Sequence, residues 1–333
     1  MRMKGIGKQK KGGEMMKVFL CETIHDKAVE LLRENGEIIG DWARIGEVDA
    51  LISRAIKVGP AEMDKMPNLK VIAVHGTGTD DIDLQEAKKR GIQVVYAPHL
   101  NANAVAELSV GLMLSVCRKI VEARKVIEGF GDASGKPGSE RQAIAQSVLR
   151  GTELRGKTCG LIGFGAIATK IADIVRYGFG MDVVAYSPSL TEERAAEHGS
   201  RPAATIEEVL KVADVVCLSL PLNEKTRGMM SAERLGMMKS GAILINTSRG
   251  PLVDEEALYQ ALKGGTLGGA ACDVFCEGFP TTRNPLLELP NFVATPHIGA
   301  NTDEALYTVG MACAVQIVDV LAGKEPEYPV YIK

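Results

Sequence analysis

The sequence predicts an α/β protein built as two parallel-sheet domains. Three observations carry that expectation. Short apolar stretches alternate with amphipathic ones from Met16 onward, the pattern of strands separated by helices. A Gly163-Phe164-Gly165 turn stands between one such strand and the helix that follows it. A long helical stretch, Asn103–Ile127, divides the elements before it from those after it, and a chain of 333 residues has room for about two domains.

Taken in order, Met16–Leu20 reads as a strand and His25–Glu34 as a helix stopped by Gly36. Strands follow at Ala50–Ser53, Leu69–Val74 and Gln93–Tyr96, with a helix Leu84–Arg90 before the last. The Asn103–Ile127 stretch is apolar at Val105, Leu108, Leu112, Val116 and Ile120, a helical period. Gly129–Gly138 is rich in glycine and polar residues and predicts a loop or lid, and Ser139–Arg150 looks helical. The second series opens with strand Thr158–Ile162 and a helix from Ala166 that repeats Ile167, Ile171 and Ile174. Met181–Tyr186, Val215–Leu220, Ala242–Asn246, Leu267–Val274 and Phe292–Thr295 are further strands. Thr205 with Glu208 forms a capping box, Asp254 and Gly264 bracket another helix, and Asp303–Leu321 is one long helix.

Composition excludes several functions. Apolar residues are 46% and charged residues 24%, ordinary for a globular chain, and a net charge of −3 gives no field for nucleic acid or an anionic membrane. No run approaches the roughly 18 apolar residues of a membrane span. The seven cysteines are scattered, only Cys272 and Cys276 being near each other, and no second pair has zinc-ligand spacing. Reduced thiols, a cytoplasmic setting and no metal are expected. Arg2, Lys4, Lys8, Lys10 and Lys11 mark residues 1–15 as a flexible extension, with no signal-length apolar segment behind them.

The glycine turn carries the first chemistry. Gly163 permits a tight turn, and Gly165 lets the backbone approach a pyrophosphate held at the start of the helix by Ala166 and Ile167. Ala168 takes the place of a third glycine. This is a dinucleotide site. About 20 residues on, an acid would bind the ribose hydroxyl of NAD, but the strand ends Ala185-Tyr186-Ser187. Ser187 does not repel a 2′-phosphate, so NAD or NADP is expected, and Arg194 is the nearest cation downstream.

Around this turn the chain resembles the D-isomer specific 2-hydroxyacid dehydrogenase family, in its phosphoglycerate dehydrogenase-like branch. The resemblance rests on Gly156-Lys157-Thr158-Cys159-Gly160-Leu161-Ile162-Gly163, on Asn246-Thr247-Ser248-Arg249-Gly250, on Cys272-Asp273-Val274-Phe275, and on Asn284-Pro285-Leu286-Leu287 through Thr295-Pro296-His297-Ile298-Gly299-Ala300. His75-Gly76-Thr77-Gly78-Thr79-Asp80 and Val105-Ala106-Glu107 extend it into the first series. It implies a Rossmann-like doubly wound sheet at 111–301 and a flavodoxin-like substrate domain at 16–110 plus 302–333. It also implies an active site in the cleft, a homodimer, and a hydride exchanged between NAD(P) and a small 2-hydroxy or 2-keto acid. Arg249 would anchor the substrate and His297 would be the acid and base. Pro221, Thr226, Thr247, Asp273 and Gly299 would meet the cofactor, and His75, Thr77 and Gly78 the substrate.

Three departures qualify the resemblance. The family's Glu, five residues after the Asp of Asp-Val-Phe, pairs with the catalytic His; here Gly278 stands there, with Glu277 as the only nearby substitute. Restoring Gly278→Glu is expected to shift the pH profile of reduction. Val74 replaces a basic residue before the first-domain loop, which argues against a phosphorylated substrate. The family's Gly-x-Trp stretch is replaced by Ser139–Arg150. The alternative reading is a dinucleotide-sensing co-regulator-like protein that binds cofactor without turnover.

Overall fold

The structure, a computed structural model, describes residues 15–130, 135 and 137–331. The basic stretch before Met15 lies outside them, as do the central residues of the expected 129–138 loop. Gly129 belongs instead to a helix, Ile120–Phe130, and Gly138–Val148 is helical. Two compact units divide the chain: one runs to Asn101 and resumes at Ala300, the other is Ala102–Gly299.

The first unit holds a five-stranded parallel sheet. Its strands are β1 (Met16–Phe19), β2 (Gly36–Ile39), β3 (Ala50–Ser53), β4 (Val71–Val74) and β5 (Gln93–Val95), in the order β2-β1-β3-β4-β5. Successive side chains take opposite faces. Val18, Ile52, Ala73 and Val95 pack against Ala28 and Leu32 of helix Asp26–Asn35 and against Val309, Cys313 and Ile317 of helix Asp303–Leu321. Phe19, Leu51, Ile72 and Val94 pack on the other side against Val58, Met63 and Ile82. Each fully buried Val, Leu, Ile or Phe side chain among them contributes about 1.5–3 kcal/mol.

Two expectations are corrected here. Gly36 does not merely stop a helix; it opens β2, where a Cβ would stand 2.2 Å from the Met16 carbonyl oxygen. Helix Asp303–Leu321, at 19 residues, is long and apolar enough to cross a membrane. Its apolar content is spread by helical period rather than in one run, so counting consecutive residues misses it, and in this unit its apolar face is core.

The second unit holds a seven-stranded parallel sheet. Its strands are β6 (Thr158–Ile162), β7 (Asp182–Tyr186), β8 (Arg201–Pro202), β9 (Val215–Leu218), β10 (Ile243–Asn246), β11 (Gly269–Cys272) and β12 (Phe292–Ala294). The order β12-β11-β10-β9-β6-β7-β8 is doubly wound and reverses between β6 and β9, the point where such sheets take ligands. Leu161, Cys217 and Ile245 face Ala168 and Ile171 of helix Ala166–Asp173 and Ala106, Val110 and Met113 of helix Ala102–Cys117. The opposite face packs Ile162, Val216 and Leu244 against Leu210, Leu235 and Leu258.

The single helix expected over Asn103–Ile127 is two helices, broken at Lys119, whose φ is +52°. Residues that follow the next two helices in the chain return to the break. Thr152 donates its N–H to the Cys117 carbonyl at 2.9 Å, and a Cβ on Gly151 would lie 2.5 Å from that same oxygen.

Candidate active site

The chemistry-bearing residues of the second unit stand at the carboxyl ends of its strands. After β6, Gly163 has φ +94° and donates its N–H to the Tyr186 carbonyl at 2.8 Å, at the end of β7. A Cβ there would fall 2.1 Å from the Ser219 carbonyl oxygen, so only glycine fits. Gly165 differs: it is exposed, it caps helix Ala166–Asp173, and a Cβ would meet nothing within 4 Å. The open face of Gly165 and the unbonded N–H groups of that first turn, at Ala166 and Ile167, fit a dinucleotide pyrophosphate. Ala168 is fully buried, as close packing of helix on strand requires.

Beside this turn, Ser187 is half-buried just past β7, and Arg194 reaches back so that Nη2 donates to the Phe164 carbonyl at 3.2 Å. A guanidinium with five N–H donors thus borders the glycine turn. Across the switch point, Thr226 ties its own loop: Asn223 N–H donates to its Oγ1 at 2.8 Å, and that hydroxyl donates to the Pro221 carbonyl at 2.8 Å.

The segment after β10 is locked by its own side chains. Buried Asn246 accepts the Ser248 N–H at 3.1 Å and donates from Nδ2 to the Arg249 carbonyl at 2.9 Å. Ser248 Oγ donates to Leu218 of β9 at 2.7 Å, and Arg249 Nη1 donates to the Ser248 carbonyl at 2.8 Å. Thr247 Oγ1 lies 2.8 Å from Ser109 Oγ on helix Ala102–Cys117. Gly250 is required by close approach, since a Cβ would stand 2.0 Å from the Phe275 carbonyl carbon.

After β11, Asp273 is buried and its carboxylate accepts three donors. Thr295 Oγ1 reaches Oδ1 at 2.6 Å, Ile298 N–H reaches Oδ1 at 2.8 Å, and Gly299 N–H reaches Oδ2 at 2.8 Å. The His297 N–H donates to the Asp273 backbone carbonyl at 2.8 Å. His297 is exposed and left-handed, with φ +57°, a conformation held by the bonds on either side of it. Sequence reading names Asp273 only for the cofactor; the three donors reveal it as the anchor of the His297 loop.

Gly278 closes a turn by donating its N–H to Phe275 at 3.2 Å, with φ +79°. A Glu at 278 would meet backbone strain of about 1–2 kcal/mol, so Gly278→Glu is not the simple restoration that the sequence suggests. Glu277 is exposed and lines a surface hollow with Glu255, Thr281 and Arg283; residues 295–299 do not line it. Glu255 holds both ends of this loop, accepting from Cys276 N–H at 2.6 Å and Asn284 Nδ2 at 3.1 Å. Among the described residues, no group of three or more His, Cys, Asp or Glu side chains has the arrangement of a metal site.

In the first unit, Gly76–Thr79 follows β4. Thr77 is exposed and its hydroxyl donates to Asn101 Oδ1 at 3.4 Å, and Ala97 N–H donates to the Gly76 carbonyl at 2.9 Å. His75 turns the other way, its ring toward Leu306 and Gly310 of helix Asp303–Leu321, with Nε2 buried and lacking a hydrogen-bond partner among the described residues. Burial first, and the Arg54 charge second, pull its pKa down to about 4. Val74 is buried beside Ile72 and Ile82 in the core.

A glycine turn at the switch point of a doubly wound sheet defines a dinucleotide-binding protein of the Rossmann class. Residues 110–299 match the model of the D-isomer specific 2-hydroxyacid dehydrogenase NAD binding domain, and the chain belongs to that family. It is 36% identical to the glyoxylate reductase of Thermofilum pendens over 93% of each chain. It is 38% identical to the D-3-phosphoglycerate dehydrogenase of Methanocaldococcus jannaschii over 322 residues, which is 94% of this chain but 59% of that relative. The chain therefore spans little more than half the length of that enzyme. An NADPH-dependent glyoxylate/hydroxypyruvate reductase of Sinorhizobium meliloti, solved with NADP and malonate, superposes with a TM-score of 0.81 at 25% identity, covering 95% of this chain and 97% of that one.

Proposed function

We propose that the protein reduces a small, unphosphorylated 2-keto acid to the 2-hydroxy acid with NAD(P)H, and runs the reverse oxidation. The observation that carries this reading is the Asp273-held loop, which ties the His297 backbone to the end of β11, beside β10, whose end carries Arg249. Bound NAD(P)H supplies the hydride. Arg249 offers its planar fork of donors to the acid's carboxylate and carbonyl oxygen. His297 gives a proton to that oxygen during reduction and takes it back during oxidation. In the first unit, the N–H groups at Thr77 and Gly78 are proposed as donors to a carboxylate. His75, turned into helix Asp303–Leu321, is assigned to supporting that loop rather than to touching substrate.

Val74 argues for a substrate without phosphate, because an apolar core residue occupies the place of a cation. The reductase from Thermofilum pendens and the Sinorhizobium meliloti enzyme support glyoxylate- or hydroxypyruvate-sized acids. A cytoplasmic homodimer belongs to the same proposal. Ile120, Val121 and Ile127 on helix Ile120–Phe130 and Val148 on helix Gly138–Val148 are exposed apolar residues suited to a second copy. Ile127→Glu is expected to shift the sedimenting species from dimer to monomer.

The second reading, a cofactor-binding protein without turnover, draws on Gly278 and on the separate hollow that Glu277 lines. A panel of glyoxylate, hydroxypyruvate, pyruvate and a larger apolar 2-keto acid, each with NADH and NADPH, decides between them. Turnover on any member supports the dehydrogenase. Tight cofactor binding with no turnover on the whole panel overturns it in favour of the sensor.

A further inference from the structure

We infer that Ser109 sets the hydrogen-bond polarity of Thr247, making Thr247 an obligate acceptor that reads the carboxamide N–H of the nicotinamide. The inference rests on the proposed cofactor role of Thr247 and deepens it.

Ser109 is fully buried in helix Ala102–Cys117, and its Oγ lies 2.7 Å from the Val105 carbonyl and 2.8 Å from Thr247 Oγ1. A hydroxyl has one proton. The Val105 carbonyl can only accept, so the Ser109 proton goes there; otherwise two acceptors would face each other at 2.7 Å. The Thr247 hydroxyl must then be the donor in the contact with Ser109. Its proton points into the helix, and only its lone pairs remain for a ligand.

That polarity has a chemical consequence. A ribose hydroxyl can donate or accept, and would bind either form of Thr247. An amide NH₂ can only donate, and is favoured by an acceptor-only Thr247. Thr247 is two residues from Arg249, the proposed substrate anchor, and hydride transfer requires the nicotinamide to lie beside that substrate. The carboxamide oxygen, being an acceptor, gains nothing from this hydroxyl. Ser109 is therefore a positioning residue that fixes which way the amide faces.

The test compares NADH with 3-acetylpyridine adenine dinucleotide (reduced), in which a methyl group replaces the amide NH₂. Binding is read by fluorescence titration, without turnover. The full chain is expected to prefer NADH by about three- to tenfold, the range of one neutral hydrogen bond. Thr247→Val should abolish that preference. Ser109→Ala should reduce it by a smaller factor, because the freed Thr247 hydroxyl can still accept from the amide but is no longer held as an acceptor only, and Ser109→Thr should restore it. The double variant Ser109→Ala/Thr247→Val should lose no more than Thr247→Val alone. If Thr247→Val removes the preference and Ser109→Ala leaves it intact, the polarity argument is overturned while the cofactor role of Thr247 stands. An unchanged preference in Thr247→Val removes the cofactor reading itself, and this inference with it.

Discussion

Asp273 and His297 are joined through the backbone: the His297 N–H donates to the Asp273 carbonyl at 2.8 Å, while the Asp273 carboxylate takes the N–H groups of the two residues that follow His297. The side chain proposed to move a proton is thus positioned by a carboxylate that does not touch it in these bonds.

Asp273→Asn tests that arrangement. An amide can accept through its oxygen alone, so at least one of the three donors loses its partner in a buried site. A stability loss of about 1–3 kcal/mol is expected, together with a fall in kcat/KM larger than the change in KM. Chemical denaturation and steady-state kinetics check the two parts. Retained kcat with lowered stability would leave Asp273 a purely structural residue.

Gly163→Ala should disable the cofactor turn. The added Cβ meets the Ser219 carbonyl at 2.1 Å, and φ is +94°. Strain of about 1–3 kcal/mol is expected, with at least a tenfold weaker NADH affinity by titration. Gly165→Ala leaves the apo stability nearly unchanged, since nothing lies within 4 Å of its Cβ, yet it too should weaken NADH binding.

Cofactor preference should turn on Ser187. A carboxylate in Ser187→Asp would accept from the adenosine ribose and repel a 2′-phosphate, shifting the NADPH-to-NADH ratio of kcat/KM toward NADH by about 10–100-fold. Arg194→Leu should weaken NADPH more than NADH. An equal effect on both cofactors would remove Arg194 from phosphate recognition and leave it as the partner of Phe164.

The half-buried His75, with its Nε2 enclosed, predicts a pH dependence. Its folded pKa of about 4 lies below the ordinary 6.5, so the unfolded chain takes up this proton first as pH falls. The resulting stability is fully present above pH 6.5 and is lost as the pH drops toward 4, by up to about 3 kcal/mol. Trp42, the only tryptophan, lies in the first unit, so its fluorescence follows this unfolding in urea. His75→Asn should flatten the difference between pH 7 and pH 4.5.

Much of the architecture was legible because buried parallel strands such as Val215–Leu218 and Ile243–Asn246 are continuous apolar runs bounded by turns. Strands β2 and β8 were not. Each is an edge strand, β2 starting at a glycine and β8 only Arg201–Pro202, so neither carries an apolar run. The break at Lys119 had no local signal either, since its cause arrives from Gly151 and Thr152. In the candidate site, the glycine turn and the setting of His297 stand out by themselves. The three donors to Asp273 come 22, 25 and 26 residues later, a convergence that no linear spacing announces. Ser109 reads as one more small residue on an apolar helix.

Gly250 bears on how this chain can change. Its backbone lies so close to that of Phe275 that a single methyl group would push the loop of Arg249 and the strand end next to His297 apart together. The proposed anchor and the proposed proton carrier share one point of registration, made of main chain alone. Side chains around them can be exchanged, and with them the size or polarity of the acid proposed as substrate. The spacing between the two groups cannot drift by small steps, so new substrates must come to a fixed pair of tools.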